Sequence, residues 1–357
     1  MSPSAESALF KPLKVGNLDL QHRVVLAPMT RFRASDDHVN PDLTTEYYAQ
    51  RASTPGTLLI TEATVIAPQA GGMPKVPGIW NEQQIAAWKK VADAVHTQQS
   101  FVFLQLWSMG RPANVAALQK EGSYEVVGPS AIPISDSHPV PRPLTVDEIK
   151  DYVNLYTQAA KNAINAGFDG VEIQCANGYL LDQFLQTNSN ARTDEYGGSI
   201  ENRLRFLSEI LKSVTDAIGL ERTGIRISPW SSFWGMRMPD PVPTFSALAQ
   251  HLVEHYPHLA YLHVIEPRVL GSEDIPVSDE SNDFIRKIWA PRPIILAGGF
   301  NRELAVNAAD SSGETVLVAM GRYFTSNPDL PQRWLKKVPL TPYERATFAS
   351  SGPQVYT

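Results

Sequence analysis

Eight short apolar runs, separated by longer segments of helical periodicity, constrain the fold of this chain more than any other feature. The runs are "VVLAPM" (24–29), "TLLIT" (57–61), "FVFLQL" (101–106), "GVEI" (170–173), "GIRIS" (224–228), "AYLHV" (260–264), "PIILA" (293–297) and "TVLVA" (315–319). Continuous apolar character, without strict alternation, is typical of strands buried on both faces of a parallel sheet. The repeated order of strand, loop and helix predicts a (β/α)8 TIM barrel of the α/β class. A doubly wound open sheet is the alternative fold, but no G-x-G-x-x-G turn follows the first run.

Two helices are defined most clearly by their ends. Thr145 and Glu148 have the spacing of a capping box, and the apolar face that follows runs to Gly167. A second helix is predicted to open in "GGSIEN" and to end at Gly219. Each leads directly into the next apolar run, which favours the barrel.

Two further segments lie outside the repeating units. Residues 108–144 follow the third run and contain six prolines, which predicts an ordered lid or a short hairpin. The N-terminal "LFKPLKVGNLDLQHRV" predicts a β-hairpin that turns at Gly16-Asn17 and closes the bottom of the barrel. Because composition does not change along the chain, residues 1–357 are expected to form one domain with a lid insertion at about 108–144.

Composition limits the classes of partner. The formal net charge is -6 and the 31 Lys and Arg residues are scattered, so a nucleic-acid surface is not expected and a small-molecule partner is. No signal-peptide pattern and no run of eighteen apolar residues is present, which favours a cytoplasmic protein without a membrane span. Cys175 is the single cysteine, and the His251-x-x-x-His255 pair lacks the glutamate of a zinc motif, so no metal site is expected.

In a barrel of this type the active site lies at the carboxyl ends of the strands. The residues there include Met29, Thr30, Gln105, Trp107, Gln174, Asn177, Arg226, Gly298, Gly299, Gly321 and Arg322. Glycines and an arginine after the last two strands predict a phosphate site, although the glycines alone are also consistent with tight turns. Arg226 either faces a bound anion or pairs with a carboxylate such as Glu172.

Several motifs resemble one family. "PMTRFRA", "QLWSMGR", "CANGYLLDQFLQTNSNARTDEYGGSIENR", "RISP" and "GRYFTSNPDL" occur in order between Leu9 and Phe348 and are similar to those of the old yellow enzymes, which are FMN-dependent ene-reductases. The segments "LFKPLKVG", "YYAQRASTPGTLLITEAT" and "PGIW" look most like the fungal branch that acts in ergot-alkaloid and other secondary-metabolite pathways.

The resemblance implies a set of cofactor-binding and substrate-binding residues. FMN would contact Met29, Thr30, Ala63, Gln105, Arg226, Gly299, Gly321 and Arg322. Gln174 and Asn177 would hold the substrate oxygen, with Trp107 and Met73 at the pocket wall. NADPH or NADH would reduce FMN, and an enone or enal, with room for a bulky one, would then accept hydride at its β-carbon and a proton from Tyr179. A monomer and a homodimer are both consistent with the sequence.

Gln174 departs from the family, which usually has histidine at this position. A glutamine amide still donates a hydrogen bond but cannot become cationic, so it is expected to stabilise the substrate oxyanion less well. This substitution keeps a second hypothesis open: a redox-neutral isomerase, epimerase or cyclase on the same FMN-binding scaffold. A non-catalytic flavin-binding protein is disfavoured because Thr30, Tyr179 and Arg226 are all present.

Overall fold

Eight parallel strands close into a barrel in the computed structural model, which describes residues 7–271, 273–276, 278–311 and 315–350. The barrel strands are β1 (Val24–Leu26), β2 (Leu58–Ile60), β3 (Phe101–Trp107), β4 (Gly170–Cys175), β5 (Thr223–Ile227), β6 (Tyr261–Ile265), β7 (Ile294–Ala297) and β8 (Val316–Met320). Each strand pairs with the next one along the chain, and β8 pairs with β1 to complete the ring. The predicted TIM barrel is confirmed.

Helices connect and surround these strands. They are α1 (Asp42–Arg51), α2 (Glu82–Thr97), α3 (Val115–Gly122), α4 (Val146–Asn165), α5 (Leu180–Leu185), α6 (Ile200–Ile218), α7 (Val242–His255), α8 (Asp283–Trp289), α9 (Arg302–Ser311), α10 (Arg322–Ser326) and α11 (Leu330–Leu335). The predicted capping box begins α4, since the Thr145 hydroxyl accepts from the Glu148 N–H and the Glu148 carboxylate accepts from the Thr145 N–H. Gly219 ends α6 in a left-handed conformation, with φ of 97°.

The N-terminal hairpin closes the bottom of the barrel, as predicted. Its strands Leu13–Val15 and Leu18–Leu20 pair antiparallel around Gly16. Val15, Leu18 and Leu20 are buried in one cluster with side chains of the barrel interior, among them Phe103 and Tyr261. A larger apolar layer fills the space between the barrel and its helices. The described residues therefore fill the lower end of the barrel, and a ligand can enter from the carboxyl ends of the strands.

The insertion after β3 contains more regular structure than expected. The sequence did not suggest the helix α3. Asn114 caps it, because the Asn114 side chain accepts from the Ala117 N–H. Beyond it, Val127–Gly128 and Arg142–Pro143 form a two-residue parallel pair. Buried Arg111 joins the insertion to the loop after β5, because its guanidinium donates to the Trp234 carbonyl at 2.9 Å.

The loop after β6 forms a small hairpin from Val269–Leu270 and Glu273–Asp274. Across the described ranges, none of the helices has the length and apolar character needed to cross a bilayer. The same residues contain no group of three or more His, Cys, Asp or Glu side chains arranged to hold a metal ion.

Candidate active site

A cavity of about 700 Å³ opens at the carboxyl ends of the strands. Nine residues predicted from the sequence line it: Met29, Thr30, Asn177, Tyr179, Arg226, Gly298, Gly299, Gly321 and Arg322. The other five, Ala63, Gln105, Trp107, Gln174 and Met73, are not among the lining residues. Most of the predicted strand-end residues therefore meet in one place, which has the size of a typical cofactor site.

The cavity floor combines small side chains with one cation. Ala27 directly follows β1, whereas Ala297 and Ala319 belong to β7 and β8; all three point into the barrel and line the cavity. Arg226 of β5 lies beside them, and its Nε atom is buried without a hydrogen-bond partner in the described part of the chain. The alanines leave room for a flat group above the strands, and Arg226 supplies positive charge beneath it.

Glycines line one end of the cavity, where the backbone conformation or the lack of space for a Cβ requires glycine. Gly298 and Gly299 have φ of 108° and 60°, in the left-handed region. A Cβ on Gly298 would lie 2.8 Å from Val269 Cγ2, and one on Gly321 would lie 2.6 Å from Met29 Sδ. A phosphate site needs a turn whose backbone N–H groups can approach the anion closely, and the glycines at this end of the cavity allow both.

Arg322, at the same end, already binds a carboxylate. Its guanidinium forms a two-pronged ion pair with Asp274, with 2.7 Å between Nη1 and Oδ2, and also donates to the Tyr343 hydroxyl at 3.0 Å. The hydrogen bond from Arg322 lowers the pKa of Asp274. The adjacent Glu273 pairs with Arg345 at 2.9 Å. A ligand phosphate that uses Arg322 must therefore compete with Asp274.

The turn that carries Asn177 and Tyr179 is held by its backbone. Asn177 and Gly178 have φ of 56° and 72°. The Asn177 N–H donates to Ser228 Oγ at 2.7 Å, and the Gly178 N–H donates to Asp182 Oδ2 at 2.9 Å. These hydrogen bonds hold two consecutive backbone amides and thereby direct the Asn177 and Tyr179 side chains towards the cavity.

Tyr179 is partly buried and packs edge-on against the Trp107 ring, with 4.9 Å between ring centroids. Burial raises the pKa of Tyr179, so its hydroxyl keeps its proton at neutral pH. Trp107 thus supports Tyr179 from behind. This arrangement can deliver a proton into the cavity.

Gln174 and Gln105 lie inside the barrel at the strand ends. Gln174 is 3% exposed, next to Arg226 in the pairing of β4 with β5, and its Oε1 is buried without a partner among residues that the structure describes. Gln105 donates from Nε2 to Glu172 at 2.7 Å. Ala63 is buried at the end of β2, whereas Met73 is partly buried against the apolar layer outside the barrel.

Sequence reasoning missed the polar side chains behind the Asn177–Tyr179 turn. Asp182 and Gln183 of α5 are fully buried; Asp182 accepts from Gln186 Nε2 at 2.7 Å, and Gln183 donates to the Gly178 carbonyl at 2.7 Å. Burial raises the pKa of Asp182 to about 7, against the opposing effects of Gln186, Gly178 and Arg111. The available signal was the polar pattern D-Q-x-x-Q in an apolar segment.

The aromatic rim of the cavity was also missed. Phe32, Phe233, Tyr343 and Phe348 line the opening; the first two come from the loops after β1 and β5, and the last two from the C-terminal segment. The Phe348 carbonyl accepts from Arg31 at 3.3 Å and from Arg33 at 3.2 Å, which holds that segment at the mouth. No local sequence pattern brings these aromatic residues together.

These features fit FMN, the cofactor implied by the resemblance. The unpartnered Arg226 Nε and the alanine floor suit a flat ring that gains negative charge. The glycine turns and Arg322 suit a phosphate at the other end. Arg226, Gly299, Gly321 and Arg322 are thus the residues that would hold the two ends of the cofactor.

Comparison with known proteins agrees with this fit. Residues 8–341 match the model of the NADH:flavin oxidoreductase / NADH oxidase family. The chain is 51% identical over 352 residues to the chanoclavine-I aldehyde reductase fgaOx3 of Penicillium roqueforti, covering 98% of this chain and 95% of that protein. It is 47% identical to the probable inactive reductase easA of Epichloe festucae var. lolii, covering 96% and 92%.

A solved structure gives the same result for the whole fold. The old yellow enzyme from Pichia sp. AKU4542 superposes with a TM-score of 0.91 at 38% identity and covers 99% of this chain and 93% of that one. The expected family and its fungal branch are both confirmed. The chain belongs to the old yellow enzyme family of FMN-dependent oxidoreductases.

Proposed function

We propose that this protein uses NADPH or NADH to reduce the C=C bond of an α,β-unsaturated aldehyde or ketone, in fungal secondary metabolism. The observation that carries the proposal is that Asn177, Tyr179 and Arg226 face the same cavity as the glycine turns and Arg322. The relative named a chanoclavine-I aldehyde reductase supports an aldehyde as substrate. The aromatic rim supports a substrate with extended apolar surface.

The net reaction consumes one NAD(P)H and one proton and gives the saturated carbonyl compound and NAD(P)⁺. FMN held by Arg226, Gly299, Gly321 and Arg322 would supply hydride-transfer chemistry between the nicotinamide and the β-carbon of the substrate. Asn177 and Gln174 donate to the carbonyl oxygen, so that negative charge develops against fixed donors. Arg226 supplies a cation at the cavity floor.

Tyr179 completes the reduction by giving its hydroxyl proton to the α-carbon. Its raised pKa keeps that proton available at neutral pH. The edge of Trp107 and the anchored Asn177 and Gly178 amides restrict the movement of Tyr179, which favours transfer from one direction.

The test is to separate the two half-reactions in the purified, FMN-loaded protein. Tyr179→Phe should slow reduction of the enal about 10² to 10⁴-fold and leave anaerobic reduction of FMN by NADPH within about threefold. Tyr323→Phe removes a hydroxyl that belongs to another tyrosine of the same cavity and should slow enal reduction less than about tenfold. Equal enal reduction by Tyr179→Phe and its parent excludes the assigned role. A protein that cannot be loaded with FMN excludes the whole proposal.

A redox-neutral rearrangement is the second candidate. Its support is Gln174 in place of the usual histidine, together with a relative described as a probable inactive reductase. Product analysis separates the two candidates. Consumption of one NADPH per product, with a product two hydrogens heavier than the substrate, supports reduction; turnover without NADPH consumption supports rearrangement.

A further inference from the structure

Three polar residues form a fully buried layer in the barrel interior next to Arg226. Gln105, Glu172 and His263 point into the barrel from β3, β4 and β6, and each is 0% or 1% exposed. Strand pairing sets their positions: Gln105 is opposite Glu172, and His263 is opposite Arg226. Mostly apolar side chains fill the barrel below them, and the cluster includes Tyr261, whose hydroxyl also interacts with Glu172. A buried carboxylate is costly in such a place unless its surroundings stabilise it.

Glu172 is the centre of this layer. Its Oε1 accepts from Gln105 Nε2 at 2.7 Å, and its Oε2 is 2.8 Å from His263 Nδ1. An ionised carboxylate only accepts hydrogen bonds, so both neighbours must present donors to it. Gln105 is therefore forced to turn its NH₂ group towards Glu172, and its Oε1 remains as the acceptor. His263 must carry its proton on Nδ1.

The charge of Glu172 is balanced by Arg226. Burial alone would raise the pKa of Glu172, but His263, Arg226 and the Gln105 amide outweigh it and lower that pKa. Burial lowers the pKa of His263, against the opposing charge and hydrogen bond of Glu172. Arg226 at the cavity floor and Glu172 beneath it then carry opposite charges, and the described residues include no salt bridge between the two.

We propose that Glu172 is a positioning residue of the cofactor site, which orients the Gln105 amide as an acceptor and offsets the charge of Arg226. The inference rests on the FMN site of the proposed function. The imide edge of the flavin ring carries an N–H between two carbonyl groups. A Gln105 amide fixed with its oxygen towards this N–H would accept from it, whereas an amide that turned freely would do so less well. Glu172 also limits how strongly Arg226 favours reduced FMN over oxidised FMN.

Two substitutions separate these effects. Glu172→Asp keeps the charge but shortens the side chain by one methylene, which withdraws the carboxylate from Gln105. FMN should then bind about two- to tenfold more weakly, the loss expected for one hydrogen bond, with little change in midpoint potential. Glu172→Gln removes the charge, but its amide still accepts from Gln105 and donates to the other tautomer of His263.

Glu172→Gln should shift the midpoint potential of bound FMN upwards. Without the carboxylate, Arg226 should favour reduced over oxidised FMN by about tenfold more, which corresponds to about 30 mV for a two-electron couple. Glu62→Gln is the matched control: Glu62 is also fully buried, but burial raises its pKa to about 7, so at a pH near 6 the substitution removes no charge. Its midpoint potential should equal that of the parent.

The measurements are FMN affinity, by fluorescence quenching on apoprotein, and midpoint potential, by equilibration with a reference dye. Parental affinity in Glu172→Asp, or a potential in Glu172→Gln at or below that of the parent, overturns the inference and leaves the proposed function intact. If Glu172→Gln does not fold, Glu172→Asp still decides whether Gln105 is oriented in this way. A parent protein that does not bind FMN overturns both.

Discussion

Asp274→Asn should tighten FMN binding, because Asp274 occupies the guanidinium that the phosphate would use. Arg322 contacts both carboxylate oxygens of Asp274 and lies at the glycine-lined end of the cavity, where a phosphate would bind. Binding of a phosphate there requires this ion pair to open or to share its donors. An asparagine has nearly the same shape but no charge, so it competes less strongly.

The size of the effect follows from exposure. The Arg322 side chain is 17% exposed, but that of Asp274 is 54% exposed, so the pair is largely screened by solvent. Exposed pairs contribute about 0.2 to 1 kcal/mol, and two-pronged geometry favours the upper end of that range. About 1 kcal/mol corresponds to roughly fivefold tighter binding.

The assay is titration of apoprotein with FMN, followed by the loss of flavin fluorescence, at low and at high salt. Glu273→Gln is the matched control, since it removes the neighbouring charge, whose partner is Arg345; it should change affinity by less than about twofold. The advantage of Asp274→Asn should shrink at high salt. Equal affinities for the two variants, or weaker binding by Asp274→Asn, would refute competition at Arg322.

Three further predictions concern Gly16 at the barrel bottom, the buried acid Asp182 and the Gln174 amide. Gly16→Ala should lower the free energy of unfolding in urea by roughly 3 kcal/mol, because φ is 55° and the new Cβ would lie 2.1 Å from the Glu221 carbonyl oxygen. Gly198→Ala, with φ of 78° and no atom within 4 Å, should lose only about 1 to 2 kcal/mol; equal losses would contradict a tightly packed hairpin. The pKa of Asp182 is raised to about 7, so the contribution of its protonated form to stability is present at low pH and is lost as pH rises through 7. In the parent, the free energy of unfolding in urea should therefore fall between about pH 6 and pH 8, and Asp182→Asn should remove roughly 1 kcal/mol of that fall. An unchanged pH dependence in Asp182→Asn would disprove this. Gln174→His should speed single-turnover reduction of a simple enal by about tenfold, because imidazole is the stronger donor, and a slower rate would show that the glutamine serves the reaction better.

The fold was predictable because its signals are local. Each strand is a continuous apolar run, and the capping box at Thr145 and Glu148 defines the start of α4 within a few residues. The α3 helix was missed because the prolines around it favour irregular structure, and its one clear signal is the capping Asn114.

The candidate site was predictable where it depends on strand ends and unpredictable where it depends on loops or partners. Parallel strands bring their carboxyl ends together, so Arg226 and Tyr179 were expected near the glycine turns. The pairing of Arg322 with Asp274 links residues 48 positions apart, and that of Glu172 with His263 links residues 91 apart. For Arg226 the sequence left open a carboxylate partner such as Glu172; the carboxylate instead bonds Gln105 and His263, and acts on Arg226 only through its charge.

At the three alanines of the cavity floor, a change that stabilises the barrel would weaken binding of the cofactor. A larger apolar side chain at Ala27, Ala297 or Ala319 would bury more surface above the interior cluster and would be favoured by packing alone. The same side chain would fill the space that a flat ring requires. Selection for thermal stability without selection for activity should therefore enlarge these residues first, and would yield a more stable barrel that no longer takes up FMN.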